Sequence, residues 1–476
     1  MNCVPTSIFS LQQVLDKKLA NKELNDALVL IRQTIECVID EPLCTARAFG
    51  TKFLDDYCQK IGAFTLQSHR NDVAGSTKKT RVYLVTKLQK SGGHTRVLED
   101  LIRSSPQGIG HVVLSTELVG KSDRAAIEKN MRGHDVTFEW NDDPSSLQKL
   151  LWIQKRLLKI APESVWLFNH HQDSVVVAAA QPQQGYKTYF YHHGDHHLCL
   201  GVFLSWANHI DPLPMGFHHC RTALGFSQNI YLPLWMKDGG VRHAPPAFMQ
   251  AGHVTTCTAA RSNKVEVPYF ISYIAMIPEI IKATGGRHIH IGKLTPWALW
   301  KIRRALKKEN IDSARFVYTP WEPSIWQALH KHGVDLYIAS FPYGGARTLI
   351  EAMGAGTPVI VHDHYATRML SCIDVVYPEA FTWRDPGDLY AFLKGLLVPF
   401  LEEQSRAARV FFTKHHDAEL FQNLDMDKLP PISAPHLKPH VPNMLQWGLD
   451  VTRQMTLFGL IWRFFYRHRR KLKKFL

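Results

Sequence analysis

Between Asp335 and Ile360 an apolar strand pattern, Leu336-Tyr337-Ile338-Ala339, runs into Ser340-Phe341-Pro342-Tyr343-Gly344-Gly345, then Ala346-Arg347-Thr348-Leu349-Ile350-Glu351 at helical spacing. A turn of this kind leaves backbone N–H groups unpaired at a helix N-terminus, where the helix dipole favours an anion. Tyr343, Gly344, Gly345 and Arg347 belong to that turn and helix start, and Thr348 adds a hydroxyl donor. Glu351 lies one turn further on, placed to accept hydrogen bonds from a sugar diol. The plain alternative is a strand–turn–helix with no ligand.

A second glycine turn, Gly92-Gly93-His94-Thr95, follows the apolar run Val82–Val85. Gly92 and Gly93 permit close backbone approach to a ligand. His94 is suited to take a proton near neutral pH, or simply to cap the helix that follows. A third cluster, His192-His193-Gly194-Asp195-His196-His197, ends another strand pattern. Asp195 reads as a general base, with His193 or His196 orienting it or holding a pyrophosphate. A His-x-His-x-Asp-His metal pattern would need a histidine where Tyr191 stands, so no metal is expected. His170-His171 and His218-His219 read as loop or surface residues.

These turns need a scaffold. Residues 1–80 have apolar residues at helical spacing, as in Leu11, Val14, Leu15 and Leu19. From Arg81 the texture becomes strand and helix in alternation, which predicts a mostly parallel sheet covered on both faces. Strands are expected at Val82–Val85, Val112–Leu114, Val136–Glu139, Val165–Phe168 and Tyr186–Tyr191. A second set is expected near His253–Cys257, His288–Gly292, Arg315–Tyr318, Leu336–Ala339 and Val359–Val361. The expected division is a helical segment 1–80, α/β domains 81–240 and 241–428, a Pro-rich connection 429–450 and a tail 451–476.

The 476 residues carry 56 Lys and Arg against 42 Asp and Glu, a net charge of +14. Apolar residues make up 45% and charged residues 21%, which excludes a wholly disordered or low-complexity chain. Eight cysteines without a CxxC pair, and no apolar leader, point to a reducing cytoplasm. Eight Lys or Arg and no acid fall between Val451 and Leu476, which leaves 48 basic against 42 acidic residues elsewhere. On a helix Arg463, Arg467, Arg470 and Lys474 share one face, with Ile461, Trp462, Phe465 and Leu472 on another. That pattern predicts a basic amphipathic tail lying on an anionic membrane surface, at the inner face of the membrane, rather than a nucleic-acid arm.

The segment Phe341–Pro358 resembles the donor-binding signature of GT-B glycosyltransferases, and most of all that of the O-GlcNAc transferases and bacterial cytoplasmic protein N-glucosyltransferases. The resemblance covers roughly Arg81 to His416. It implies an α/β fold of two Rossmann-like domains facing a cleft, and sugar transfer from a nucleotide donor, UDP-linked, without a cofactor. It places Glu351 where the family's acid holds the nucleotide ribose, although that acid is usually Asp, and Thr348 at a phosphate-binding threonine. Lys264, in Thr258-Ala259-Ala260-Arg261-Ser262-Asn263-Lys264, matches a diphosphate-binding lysine. Gly292 fits a turn beside the base or ribose, and His94 an active-site histidine. Retaining GT-B families carry two glutamates with seven residues between them. Tyr343 occupies the first of those places, which favours inversion. The His192–His197 run departs from the family's turn there. The acceptor is a saccharide, a lipid-linked precursor or a protein. A nucleotide-sugar epimerase and a non-catalytic nucleotide-sugar binding module are the alternatives.

Overall fold

A computed structural model describes residues 8–41, 44–67, 79–90, 92–242, 248–250, 252–430, 432–454 and 461. The chain forms two compact units, Met1–Leu232 with Gln422–Ser433, and Pro233–Phe421 with Ala434–Leu476. The amphipathic pattern expected after Val451 lies almost wholly outside the described residues. No described helix is long and apolar enough to cross a membrane.

The first unit holds a sheet of β1 (Thr80–Val85), β2 (Gly110–Ser115), β3 (Val136–Trp140), β4 (Ser164–Phe168), β5 (Lys187–Tyr191), β6 (Asn208–Asp211) and β7 (Ile230–Tyr231). All pairs are parallel, in the order β3-β2-β1-β4-β5-β6-β7. Every residue of β1 and β4 is buried, as a central strand covered on both faces requires. Three N-terminal helices, Ile8–Ala20, Leu24–Ile39 and Lys52–Leu66, share the core of this unit with Val82, Leu84, Val165 and Val175–Ala180. These three helices are therefore one layer of the first unit.

The second unit holds β8 (Thr256–Ala259), β9 (His288–Ile291), β10 (Phe316–Thr319), β11 (Leu336–Ile338), β12 (Val359–His362) and β13 (Thr382–Trp383). Its order, β10-β9-β8-β11-β12-β13, repeats that of the first six strands of the first sheet. Caps mark its helices. Thr295 Oγ1 accepts from Ala298 N ahead of Pro296–Lys308, and Gly285 ends Tyr273–Thr284 in the left-handed region. The Pro-rich stretch is tied down on this unit. Lys438 N donates to Asp374 Oδ1 at 2.7 Å, and the Lys438 carbonyl accepts from Arg368 Nη2 at 3.0 Å.

Ten strands fall near their expected places; β6, β7 and β13 have no counterpart in the sequence expectation. In each sheet the strand order reverses at its first strand, with β1 between β2 and β4 and β8 between β9 and β11. Open α/β sheets bind ligands outside the carboxyl ends of the strands at such a switch point.

Candidate active site

The second unit's switch point is built from the chain after β8 and after β11. After β8, the short helix Ser262–Val265 carries Lys264. After β11, the turn Ser340–Gly345 leads into the helix Ala346–Gly354. Lys264 Nζ donates to the Gly344 carbonyl at 2.5 Å, and Tyr343 N donates to the Lys264 carbonyl at 3.4 Å. Thr348 Oγ1 donates to Gly345 O and Ser340 Oγ to Tyr343 O, each at 2.8 Å. A Cβ built on Gly345 would meet Thr348 Oγ1 at 2.8 Å, Lys264 Nζ at 3.4 Å and Ser340 Oγ at 3.7 Å. Three polar groups thus converge over one glycine at a helix N-terminus. Burial pulls the Lys264 ammonium below its usual range, and among the described residues no carboxylate pairs with it. A partly desolvated cation without a counter-charge is an anion site in waiting.

Gly292 closes β9 at φ 127°, and a Cβ there would stand 2.1 Å from the Ala260 carbonyl. Only glycine lets the end of β9 reach the segment that leads to Lys264. Arg347 is partly buried at the start of Ala346–Gly354. Glu351 lies one turn into that helix. Its Oε2 accepts from Ile325 N at 3.0 Å and Trp326 N at 3.1 Å, so it caps the helix Ile325–Lys331. A ribose diol would share the carboxylate with this helix. Glu351→Leu is expected to destabilise the protein by about 1–2 kcal/mol through the lost cap. Glu351→Gln, which keeps an acceptor oxygen, should recover most of that in urea denaturation.

In the first unit the segments after β1, β4 and β5 gather histidines. His94, in the first turn of Gly93–Arg103, stacks on His193 with ring centroids 4.1 Å apart and lies 5.2 Å from His170. His171 approaches His196 and His197 at 5.9 and 5.3 Å. Neither His94 ring nitrogen meets a partner with hydrogen-bond geometry. Burial holds His94 and His171 well below the usual imidazole range and brings His193 and His197 down to about 3. Rings held this far down are neutral imidazoles near pH 7 and offer no cation to a pyrophosphate. Asp195 is buried, with His196 Nδ1 3.4 Å from its Oδ1. Burial raises its carboxyl to about 7, in the range that suits a general base. Gly92 and Gly93 are exposed, with open space at both Cβ positions.

Sequence reasoning did not anticipate Asp173, which is fully buried at the base of this cluster. Its Oδ2 accepts from Thr86 Oγ1 at 2.6 Å and Thr116 Oγ1 at 2.8 Å, and its Oδ1 caps the helix Ser174–Ala179. Its signal was an Asp-Ser pair ahead of an apolar run. His170 and His171 do lie in a loop, but they line the imidazole cluster. His218 and His219 sit on the helix Pro214–Thr222 rather than in a loop, and the His219 ring packs 4.1 Å from that of Phe49.

No protein-family model matches the chain, and no curated protein matches it in sequence. Solved structures do. A glycosyltransferase from Rickettsia africae ESF-5 superposes with a TM-score of 0.54 at 12% identity, over 73% of this chain and 96% of that one. HepE from Anabaena, in complex with UDP and glucose, gives 0.52 at 13% identity over 72% and 97%. WaaB, a lipopolysaccharide outer core galactosyltransferase in its apo form, gives 0.53 at 15% identity over 72% and 97%. With its two parallel sheets of like order, the chain has the GT-B fold of the glycosyltransferases.

Proposed function

We propose that this protein is a GT-B glycosyltransferase that moves a sugar from a nucleotide donor, UDP-linked, to a saccharide, lipid-linked or protein acceptor. The observation that carries the reading is Lys264, an uncompensated ammonium beside Thr348 and a helix N-terminus at the second unit's switch point. That arrangement suits a departing nucleoside diphosphate. HepE, which shares the fold, has been solved with UDP and with UDP-glucose. In the proposed step an acceptor oxygen or nitrogen attacks the anomeric carbon. The sugar–phosphate bond breaks with its electron pair on the diphosphate, and a base takes the acceptor proton. Lys264, Thr348 and the helix amides stabilise the leaving charge with no metal at the diphosphate. His94 and Asp195 are the candidate bases. Tyr343, in place of a glutamate, favours inversion.

The test is a donor screen for UDP release, with membrane extract and soluble extract as separate acceptor sources. The anomeric configuration of the product is then read by NMR. Retention would overturn the inverting step. An isomerised donor formed without acceptor would identify an epimerase, and nucleotide binding with no turnover a binding module. His94→Ala and Asp195→Asn distinguish the bases. Loss of the base lowers kcat about 10²-fold with donor affinity unchanged.

A further inference from the structure

β6 is a strand of three polar residues in four, Asn208-His209-Ile210-Asp211, and two of them, His209 and Asp211, are buried. His209 and Asp211 alternate along the strand and so point to one face of the sheet. Tyr191, the last residue of β5, pairs with Ile210, which sets His192 beside Asp211. Cys220 comes from the helix Pro214–Thr222. His192, Asp211 and Cys220 are at most 1% exposed, and His209 is 9% exposed.

Four ligand atoms from these residues form a closed tetrahedron. Asp211 Oδ1 lies 3.1 Å from His192 Nδ1 and 3.2 Å from His209 Nε2, and the two ring nitrogens are 3.2 Å apart. Cys220 Sγ lies 3.4 Å from Asp211 Oδ1 and 3.6 Å from each ring nitrogen. Bonds of about 2.0–2.1 Å to N or O and about 2.3 Å to S give tetrahedral edges of about 3.3 Å between N and O ligands and about 3.5 Å to sulfur. The short edges are those between nitrogen and oxygen, and the long ones are those to sulfur. Hydrogen bonding does not account for six such edges, because the four ligand atoms can carry at most four protons among them.

We propose that His192 Nδ1, His209 Nε2, Asp211 Oδ1 and Cys220 Sγ hold one structural zinc ion. Two imidazoles, a thiolate and a carboxylate in a tetrahedron suit Zn²⁺. The thiolate and carboxylate cancel its charge, so the buried site is neutral overall. A second layer already orients the carboxylate. Asn229 Nδ2 donates to Asp211 Oδ2 at 2.6 Å, and Arg221 Nε donates to Asn229 Oδ1 at 2.7 Å. Support of this kind accompanies metal ligands generally. With four protein ligands the site has no open position, so its role is to pin β5, β6 and the helix Pro214–Thr222 together. It thereby fixes the start of the loop that carries Asp195. No metal was expected from sequence, because the pattern sought was one short run. The ligands found here are spread from His192 to Cys220.

The full-length protein, untagged and purified without chelator, is expected to contain about one zinc per chain. Absorption spectroscopy at the zinc edge should show one sulfur at about 2.3 Å and three N or O ligands at about 2.0–2.1 Å. Cys220→Ala and Asp211→Asn should lower zinc affinity at least about tenfold, and His218→Ala, on the same helix, should leave it unchanged. Should the ligand variants fail to fold, cobalt-loaded wild type decides. A thiolate-to-cobalt charge-transfer band with tetrahedral ligand-field bands supports the site. Less than about 0.1 zinc per chain after dialysis against Zn²⁺, or a zinc shell or cobalt spectrum without sulfur, overturns it.

Discussion

Lys264→Ala is expected to lower donor turnover about 10³-fold while leaving affinity for the bare nucleoside unchanged. The ammonium stands over the Gly345 cradle, with Thr348 Oγ1 and Ser340 Oγ around the same point. Negative charge grows on the diphosphate as the sugar leaves, so the lysine acts most strongly in the transition state. Lys264→Ala also gives up the Nζ hydrogen bond to Gly344 O, a cost of about 1 kcal/mol that leaves the unit folded. Lys264→Arg should not rescue activity, because a planar fork cannot replace a point charge whose Nζ donates to Gly344 O from 2.5 Å. Calorimetry with UDP and with uridine separates the effects. Undiminished UDP affinity in Lys264→Ala would mean that the diphosphate is held elsewhere.

Gly62→Val is expected to unfold the first unit. A Cβ at Gly62 would stand 1.8 Å from the Ala178 carbonyl and 2.4 Å from Gln181 Nε2. The helices Lys52–Leu66 and Ser174–Ala179 therefore touch backbone to backbone at this point. The contact is laced by hydrogen bonds. Gln59 Nε2 donates to Val177 O at 2.6 Å, Gln181 Nε2 to Ala178 O at 2.9 Å, and Gln154 Nε2 to Gly62 O at 2.8 Å. Overpacking costs about 1–3 kcal/mol, and each buried hydrogen bond lost adds about 1 kcal/mol. A total of about 4 kcal/mol or more is a large share of the roughly 5–15 kcal/mol that holds a domain. Urea denaturation should show the loss. A wild-type midpoint would refute the packing of the N-terminal helices onto the sheet.

Legibility from sequence followed burial. β1 and β4 carry unbroken apolar runs, Val82–Val85 and Val165–Phe168, and were plain. β6 was hidden because His209 and Asp211 are buried against His192 and Cys220, so a buried strand has a polar sequence. β7 and β13 are two residues each, too short for any periodicity. The turn Ser340–Gly345 was legible because glycines and a strand-to-helix switch are local signals. Lys264 was legible only through family resemblance. Its place beside Gly344 depends on β8 and β11 being sheet neighbours, although about 80 residues separate Lys264 from Gly344 in the chain. The cap that Glu351 places on Ile325–Lys331 and the fourfold convergence at Cys220 are contacts between distant segments, which no spacing rule reports.

The chain crosses between its units three times, after Leu232, Phe421 and Ser433. The strip 422–433 is small but anchored: Leu424 is buried, its N–H donates to Ser104 O at 2.6 Å, and its carbonyl accepts from Arg81 Nη2 at 3.2 Å. Gene order and fold order therefore disagree. A first half ending at Leu232 lacks part of its own surface, and a second half beginning at Pro233 carries a piece of its neighbour. A cut at Leu232 therefore does not separate two complete bodies: the first unit stays whole only when the strip 422–433 travels with it.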